Sequence, residues 1–265
     1  MAESVQSGLV KAAVVARGAI VRKTPNGIRY ATYGETNLPE LELERMVQAV
    51  PAPIAAALNR KVYYFVPLAM SDRRTDPNGK KNDEATVIAP AYSEEFSDQA
   101  ICHRNVTLGD TDGIFISTRL LGDRFALAFE FFINVAHGFV DATGVPTAFE
   151  ELAWSQAVAD VRGETSQDAW ESRGLALSGS GKGDKIDGHR VIDEKAKTSF
   201  VEAAFSDAVA IYQLSLAVDF DYSELREREY PLLAPQQLAE RLRAIAKLFP
   251  ANPGYEFAIR YRRRA

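Results

Sequence analysis

The stretch Gly113–Thr143, GIFISTRLLGDRFALAFEFFINVAHGFVDAT, changes its period midway and so fixes the fold class. Ile114 to Thr118 reads as a strand, and Asp123 to Ala142 follows the 3.6-residue period of a helix. Asp123 stands as its N-cap and Gly144 as the residue that stops it. Before this stretch the sequence reads mainly as strands, and after it mainly as helices. That order predicts an α+β fold, with a small mixed or antiparallel sheet in the N-terminal half.

The helix is apolar nearly all round. Phe125, Ala128, Phe129, Phe132, Ile133, Ala136, Phe139 and Val140 make one broad face, and Leu127, Phe131 and Val135 extend it. A narrow polar stripe remains: Glu130, Asn134, His137 and Asp141, on one side of the helix. Such a stripe on a buried helix faces solvent, polar partners or a cleft. Two readings stay open here, a solvent-facing edge and a cleft-lining helix that carries chemistry.

Upstream, Ala19–Lys23 and Ile28–Tyr33 read as strands joined through Thr24-Pro25-Asn26-Gly27. Pro39–Val50 reads as an amphipathic helix stopped by Pro51 and Pro53. Val62–Pro67 is aromatic and β-branched, a strand; Thr86–Ala91 and Gln99–Leu108 are further strands. Ser71–Glu84 holds eight charged residues in fourteen and reads as an exposed loop. Downstream, Thr147–Arg162 reads as a helix opened by a capping box, Thr147 with Glu150. Lys195–Val218 and Leu233–Phe249 are two more helices. Ahead of them Gly179–Thr198 has nine charged residues and four glycines in twenty, too few apolar groups to offset its ordering entropy. It is expected to be a mobile loop and the first site of proteolysis. The whole is read as one domain, residues 1–118 strand-rich and 119–265 helical.

The segment around His137 resembles the core of zincin-like metallopeptidases. Those proteins set an edge strand before an active-site helix bearing His-Glu-x-x-His. Here the pentapeptide is His137-Gly138-Phe139-Val140-Asp141. Positions i and i+4 share a helical face, so His137 and Asp141 could reach one ion. The segment Ser199–Tyr212, SFVEAAFSDAVAIY, resembles the one that supplies the third ligand in gluzincin-like families, which implies Glu202. Periodicity gives a separate indication: Glu202 borders the apolar stripe of Val201, Phe205, Val209 and Tyr212, while Asp207 points away from it. Gly138 stands where the family has its general-base glutamate, so nothing there can take a proton from a metal-bound water. The resemblance therefore implies a zincin-like fold with a degenerate site. No resident cofactor is expected, or at most a divalent metal on His137, Asp141 and Glu202, a set that favours harder cations than zinc. Neither tight zinc nor peptide cleavage is expected. The leading functional reading is a binding or structural module, more a pseudoenzyme than an enzyme. The alternatives are an atypical metal-dependent hydrolase, with Glu130 as a base from elsewhere, and a component of a larger assembly with a protein partner.

Composition agrees with a globular chain. It has 265 residues, 46% hydrophobic and 25% charged, and a net charge of −5. That balance offers no global attraction for nucleic acid. A basic run, Arg260, Arg262, Arg263 and Arg264, is the local exception. The single Cys102 excludes an intrachain disulfide and fits a reducing compartment. Its neighbour His103 would point to the opposite face of a strand and so would not activate it. No secretory pattern precedes Leu9–Ala16, and no run approaches the roughly 18 apolar residues of a membrane span, so the expected location is cytoplasmic. Leu177–Gly183, LSGSGKG, resembles part of a phosphate-binding loop, but Ala176 and Gly183 occupy the places of its first glycine and its hydroxyl.

Overall fold

A computed structural model describes residues 8–71, 86–178, 185–186, 189–190, 192–225 and 230–259. The fold is α+β, with the strands concentrated in the N-terminal half and a helical C-terminal half. The chain forms two compact units, residues 1–134 and 135–265, and the division falls inside a long helix.

The first unit opens with β1 (Val10–Lys11), α1 (Ala12–Gly18), β2 (Arg22–Lys23) and β3 (Arg29–Thr32). Next come α2 (Glu40–Gln48), α3 (Ala52–Ala57), β4 (Lys61–Val66), β5 (Leu68–Ser71) and β6 (Thr86–Ala89). The unit closes with α4 (Glu94–Ser97), β7 (Ala100–Ile101), β8 (His103–Leu108), β9 (Thr111–Ser117) and the start of α5 (Arg124–Thr143). Five strands make a mixed sheet in the order β2-β3-β4-β9-β8, in which β3, β4 and β9 run parallel. A four-stranded antiparallel sheet has the order β1-β6-β5-β7.

The central strand β4, KVYYFV, shows why the larger sheet holds. Its aromatic and β-branched residues are buried on both faces, as a strand inside a covered sheet requires. On one face Tyr64 stacks on its cross-strand partner Phe115 at 4.6 Å, among Val62, Val66, Ala12 and Val15. On the other, Tyr63 and Phe65 meet Phe131 of α5 at 5.1 and 5.6 Å. Strand β9 lies between β4 and β8 in this sheet, so the strand before the long helix belongs to the sheet that the helix packs on. Gly113 of β9 leaves room there, since a Cβ would come within 3.2 Å of the Tyr64 ring.

Local signals place several boundaries. Asp123 Oδ1 accepts the Ala126 N–H at 2.6 Å, and Gly144 closes α5 at φ 69°. In the turn before β3, the Asn26 amide donates to the Val47 and Val50 carbonyls at 3.0 and 2.8 Å, satisfying the end of α2. Helix α2 ends at Gln48, ahead of Pro51 and Pro53. They open α3, where a first-turn proline loses no hydrogen bond. The capping box expected at Thr147 is not formed: the N-cap of the helix Thr147–Val158 is Pro146, with no side-chain capping bond to Thr147 or Glu150.

The second unit holds the rest of α5, then α6 (Thr147–Val158), α7 (Gln167–Ser178), β10 (Lys185–Ile186), β11 (His189–Arg190), α8 (Glu194–Ala217) and α9 (Pro235–Leu248). Helix α6 stops short of Arg162 because Asp160 takes φ 54° and turns the chain. Helix α8 is the axis of this unit, with 14 buried residues between Phe200 and Leu216. Phe205 meets Phe149, Phe139 and Phe249 at 4.9, 6.3 and 6.4 Å. The loop expected at Ser71–Glu84 and much of that at Gly179–Thr198 lie outside the described residues; within the latter, Lys185–Ile186 pairs with His189–Arg190 and α8 begins at Glu194.

Helices α5 and α8 are long and apolar enough to cross a membrane by length and composition, with mean hydropathy 1.3 and 1.2. Counting uninterrupted apolar residues missed this, because averaged hydropathy tolerates scattered polar side chains such as Glu130 and Asn134. Half of the α5 window and 78% of the α8 window are buried inside the protein.

Candidate functional site

The polar stripe of α5 divides between two settings. In the first unit, His103 of β8 places Nδ1 2.5 Å from Glu130 Oε1. The Asn134 amide donates to the same carboxylate oxygen at 3.1 Å and to the Glu130 carbonyl at 2.8 Å. A carboxylate held on two sides orients the imidazole. Glu130 is therefore engaged by His103 and Asn134. Burial, with Glu130 adding to it, pushes the Cys102 thiol up, the opposite of what a nucleophile needs.

In the second unit, three helices enclose an open depression of about 640 Å³. Each contributes residues at i, i+3, i+4 and i+7, which form one face of a helix. From α5 and its end come His137, Val140, Asp141 and Gly144; from α7, Asp168, Glu171, Ser172 and Leu175; from α8, Ser199, Glu202, Ala203 and Ser206. The small residues Gly144, Ser172, Ser199, Ala203 and Ser206 keep the space open. Four carboxylates, Asp141, Asp168, Glu171 and Glu202, surround it and are exposed. The three residues expected to act together, His137, Asp141 and Glu202, thus line one depression. Among the described residues, however, no group of three His, Cys, Asp or Glu side chains is gathered closely enough to hold a metal ion. The described residues, as they are gathered, do not fit zinc on three protein ligands.

Two further carboxylates, Asp168 and Glu171, were not anticipated. They lie on α7, a helix that the large apolar residues do not signal, since its buried positions are Ala169, Arg173 and Ala176. The available clue was Gln167 and Glu171 at i and i+4, which hydrogen-bond at 2.6 Å.

Glu202 is exposed, and the inward carboxylate of α8 is Asp207. The single-stripe view of α8 placed them the other way. The helix is buried over most of its circumference, and Asp207 finds partners there. Thr165 donates to its Oδ2 at 2.8 Å. Burial raises Asp207 to about 6, against the hydrogen bonds of Ser166 and Thr165 and the charge of Arg241; Glu164 adds to the rise. The folded protein thus binds a proton that the unfolded chain releases near pH 4, so Asp207 favours folding below that pH. This contribution is lost as pH rises through about 6. Asp207→Asn should flatten stability between about pH 4 and 6 and leave the protein roughly 2–3 kcal/mol more stable at pH 7 relative to pH 4, compared with the native chain. Urea unfolding at three pH values measures this. Parallel stability curves for the two proteins would refute it.

Comparison with family models, with curated proteins and with solved structures finds no match to this chain.

Proposed function

We propose that the protein is a binding module on a degenerate zincin-like core, and that its acidic depression receives a cationic group. The observation that carries this reading is the convergence of four exposed carboxylates from three helices on one open depression. Apolar contact is available beside them at Val140 and Leu175, and Leu175 is 64% exposed. Charges held several ångströms apart attract an amine or guanidinium group without having to converge on a single ion. Gly138 supports a binding role over a hydrolytic one, since it offers no proton acceptor at the place of the family's base. A cytoplasmic setting belongs to the same proposal, with the lone Cys102 in its favour.

Isothermal titration with spermidine tests the reading, with zinc chloride as the parallel titrant. Spermidine should bind at one site, more weakly at high ionic strength. Asp141→Asn with Glu202→Gln should weaken it roughly tenfold, about 1.4 kcal/mol for two of four charges. Affinity unchanged in that variant would overturn the proposal. One zinc per chain, with peptide hydrolysis abolished by His137→Ala, would replace it with the hydrolase reading. A solution mass well above 29.2 kDa would bring forward the assembly reading.

A further inference from the structure

Strand β8 ends the mixed sheet on the side away from β2, and with six residues against two it is the longer outer strand. Its pairing with β9 decides which of its backbone groups stay open. In an antiparallel ladder, residue pairs that exchange hydrogen bonds alternate with pairs that do not. The Ser117 N–H donates to the Cys102 carbonyl at 2.8 Å, so these two residues form a bonded pair. By alternation Arg104, Val106 and Leu108 bond inward to β9, while His103, Asn105 and Thr107 turn their N–H and C=O groups outward. Asp112, opposite Thr107, agrees: its N–H donates to the Arg60 carbonyl, on the β4 side of β9, at 2.9 Å. Among the described residues nothing bonds these outward groups, and Asn105 and Thr107 are exposed. An edge of this kind accepts a further strand.

We infer that β8 pairs antiparallel with β8 of a second copy, joining the two mixed sheets across a two-fold axis. Charge along the strand selects this occupant. Arg104 lies at its start and Asp110 just past its end, and an antiparallel copy reverses that order. Arg104 gives one N–H to Thr86 Oγ1 at 3.4 Å, and neither it nor Asp110 is in an ion pair among the described residues. One register sets Val106 opposite the partner's Val106. Asn105 then faces the partner's Thr107, so open groups meet open groups. Arg104 stands opposite the partner's Leu108 and diagonal to the partner's Asp110, within reach of a long side chain. The neighbouring register, with Asn105 opposite the partner's Asn105, would set the two Arg104 side chains diagonally against each other. The pairing is isologous and closes at two copies. It lies in the first unit and is independent of what the depression receives.

Sedimentation equilibrium of the full chain tests this from about 10 µM to 1 mM, the range in which small interfaces associate. The mass should approach twice 29.2 kDa at the upper end. Asn105→Pro removes an outward N–H at a place where an edge strand tolerates proline. That variant should stay monomeric with an unchanged circular dichroism spectrum, and Thr107→Pro is the second of the same design. Arg104→Glu and Asp110→Arg should each weaken the dimer roughly tenfold, since two symmetry-related contacts turn repulsive. Combining the two reversals should restore it. A native chain that is monomeric throughout overturns the inference and leaves the edge to a strand of another protein. A dimer that survives both proline variants, or single reversals that the double variant does not rescue, overturns it as well. A mass beyond two copies overturns the closed pair and brings forward the assembly reading.

Discussion

Glu164→Ala should unfold the second unit by heat or denaturant far more readily than any surface change. Glu164 is completely buried and joins two arginines. Its Oε2 accepts from Arg241 Nη1 at 2.8 Å, and its Oε1 accepts from Arg173 Nη1 at 3.2 Å. Arg241 is also fully buried and Arg173 is 4% exposed. Arg241 keeps one further bond, to Gln156 Oε1 at 2.8 Å, while Arg173 spreads over the Val161 and Gly163 carbonyls at 2.7 and 3.1 Å. Removing the carboxylate strands Arg241 where water cannot reach it, while Arg173 keeps the Asp160 carboxylate at 3.4 Å. Breaking a buried pair in this way costs about 3–5 kcal/mol. Replacing the pair together, Glu164→Leu with Arg241→Met, should cost much less, because no buried charge is left uncompensated on Arg241. Urea unfolding of the native chain, the single and the double variant checks both statements. A single variant within 1 kcal/mol of native, on the order of a surface substitution, would contradict the account.

Gly163→Ala should have an effect of the same size by a different route. Gly163 has φ +81°, and a Cβ there would lie 2.2 Å from the Leu232 carbonyl oxygen and 2.3 Å from that of Pro231. Both are backbone atoms, and they are tied in place. Glu164 N–H donates to the Pro231 carbonyl at 3.0 Å, and the Leu233 and Ala234 N–H groups donate to the carbonyls of Glu164 and Arg162 at 2.9 and 3.0 Å. A left-handed conformation alone costs an alanine roughly 1–2 kcal/mol. Separating the two backbone segments adds more, giving on the order of 4 kcal/mol in all. At about 2–4 °C per kcal/mol for a chain of this size, the midpoint should fall by roughly 8–16 °C. Thermal unfolding followed by circular dichroism reads the shift directly. Gly254→Ala is the control: it shares a positive φ, but nothing lies within 4 Å of its Cβ position, so its loss should be limited to the conformational cost.

What the sequence revealed depended on the size of the buried side chains. Helix α5 and strand β4 bury rows of Phe, Tyr and Val, and their periods were visible. Helix α7 buries alanines and an arginine, so no apolar period marked it, and with it went Asp168 and Glu171 of the depression. Helix α8 was recognised, but its facing was misjudged because burial on most sides erases the contrast that periodicity reads. His137 and Asp141 were legible as neighbours on one face of α5, since that spacing is local, whereas Glu202, on another helix of the depression, was pointed to by the resemblance. The pairing of Glu130 with His103 was not, because 27 residues and the packing of a helix on a sheet separate them.

The outer strand of the mixed sheet has a bearing on how copies of this protein behave when crowded. Strand β2 is two residues long, both exposed and both basic, Arg22 and Lys23. Arg22 is moreover engaged by Glu40. A neighbouring chain seeking to extend the sheet from that side meets a short template and a like-charged border, should it present its own β2. Native molecules therefore have little purchase there for end-to-end strand addition, and ribbon growth from this margin is suppressed.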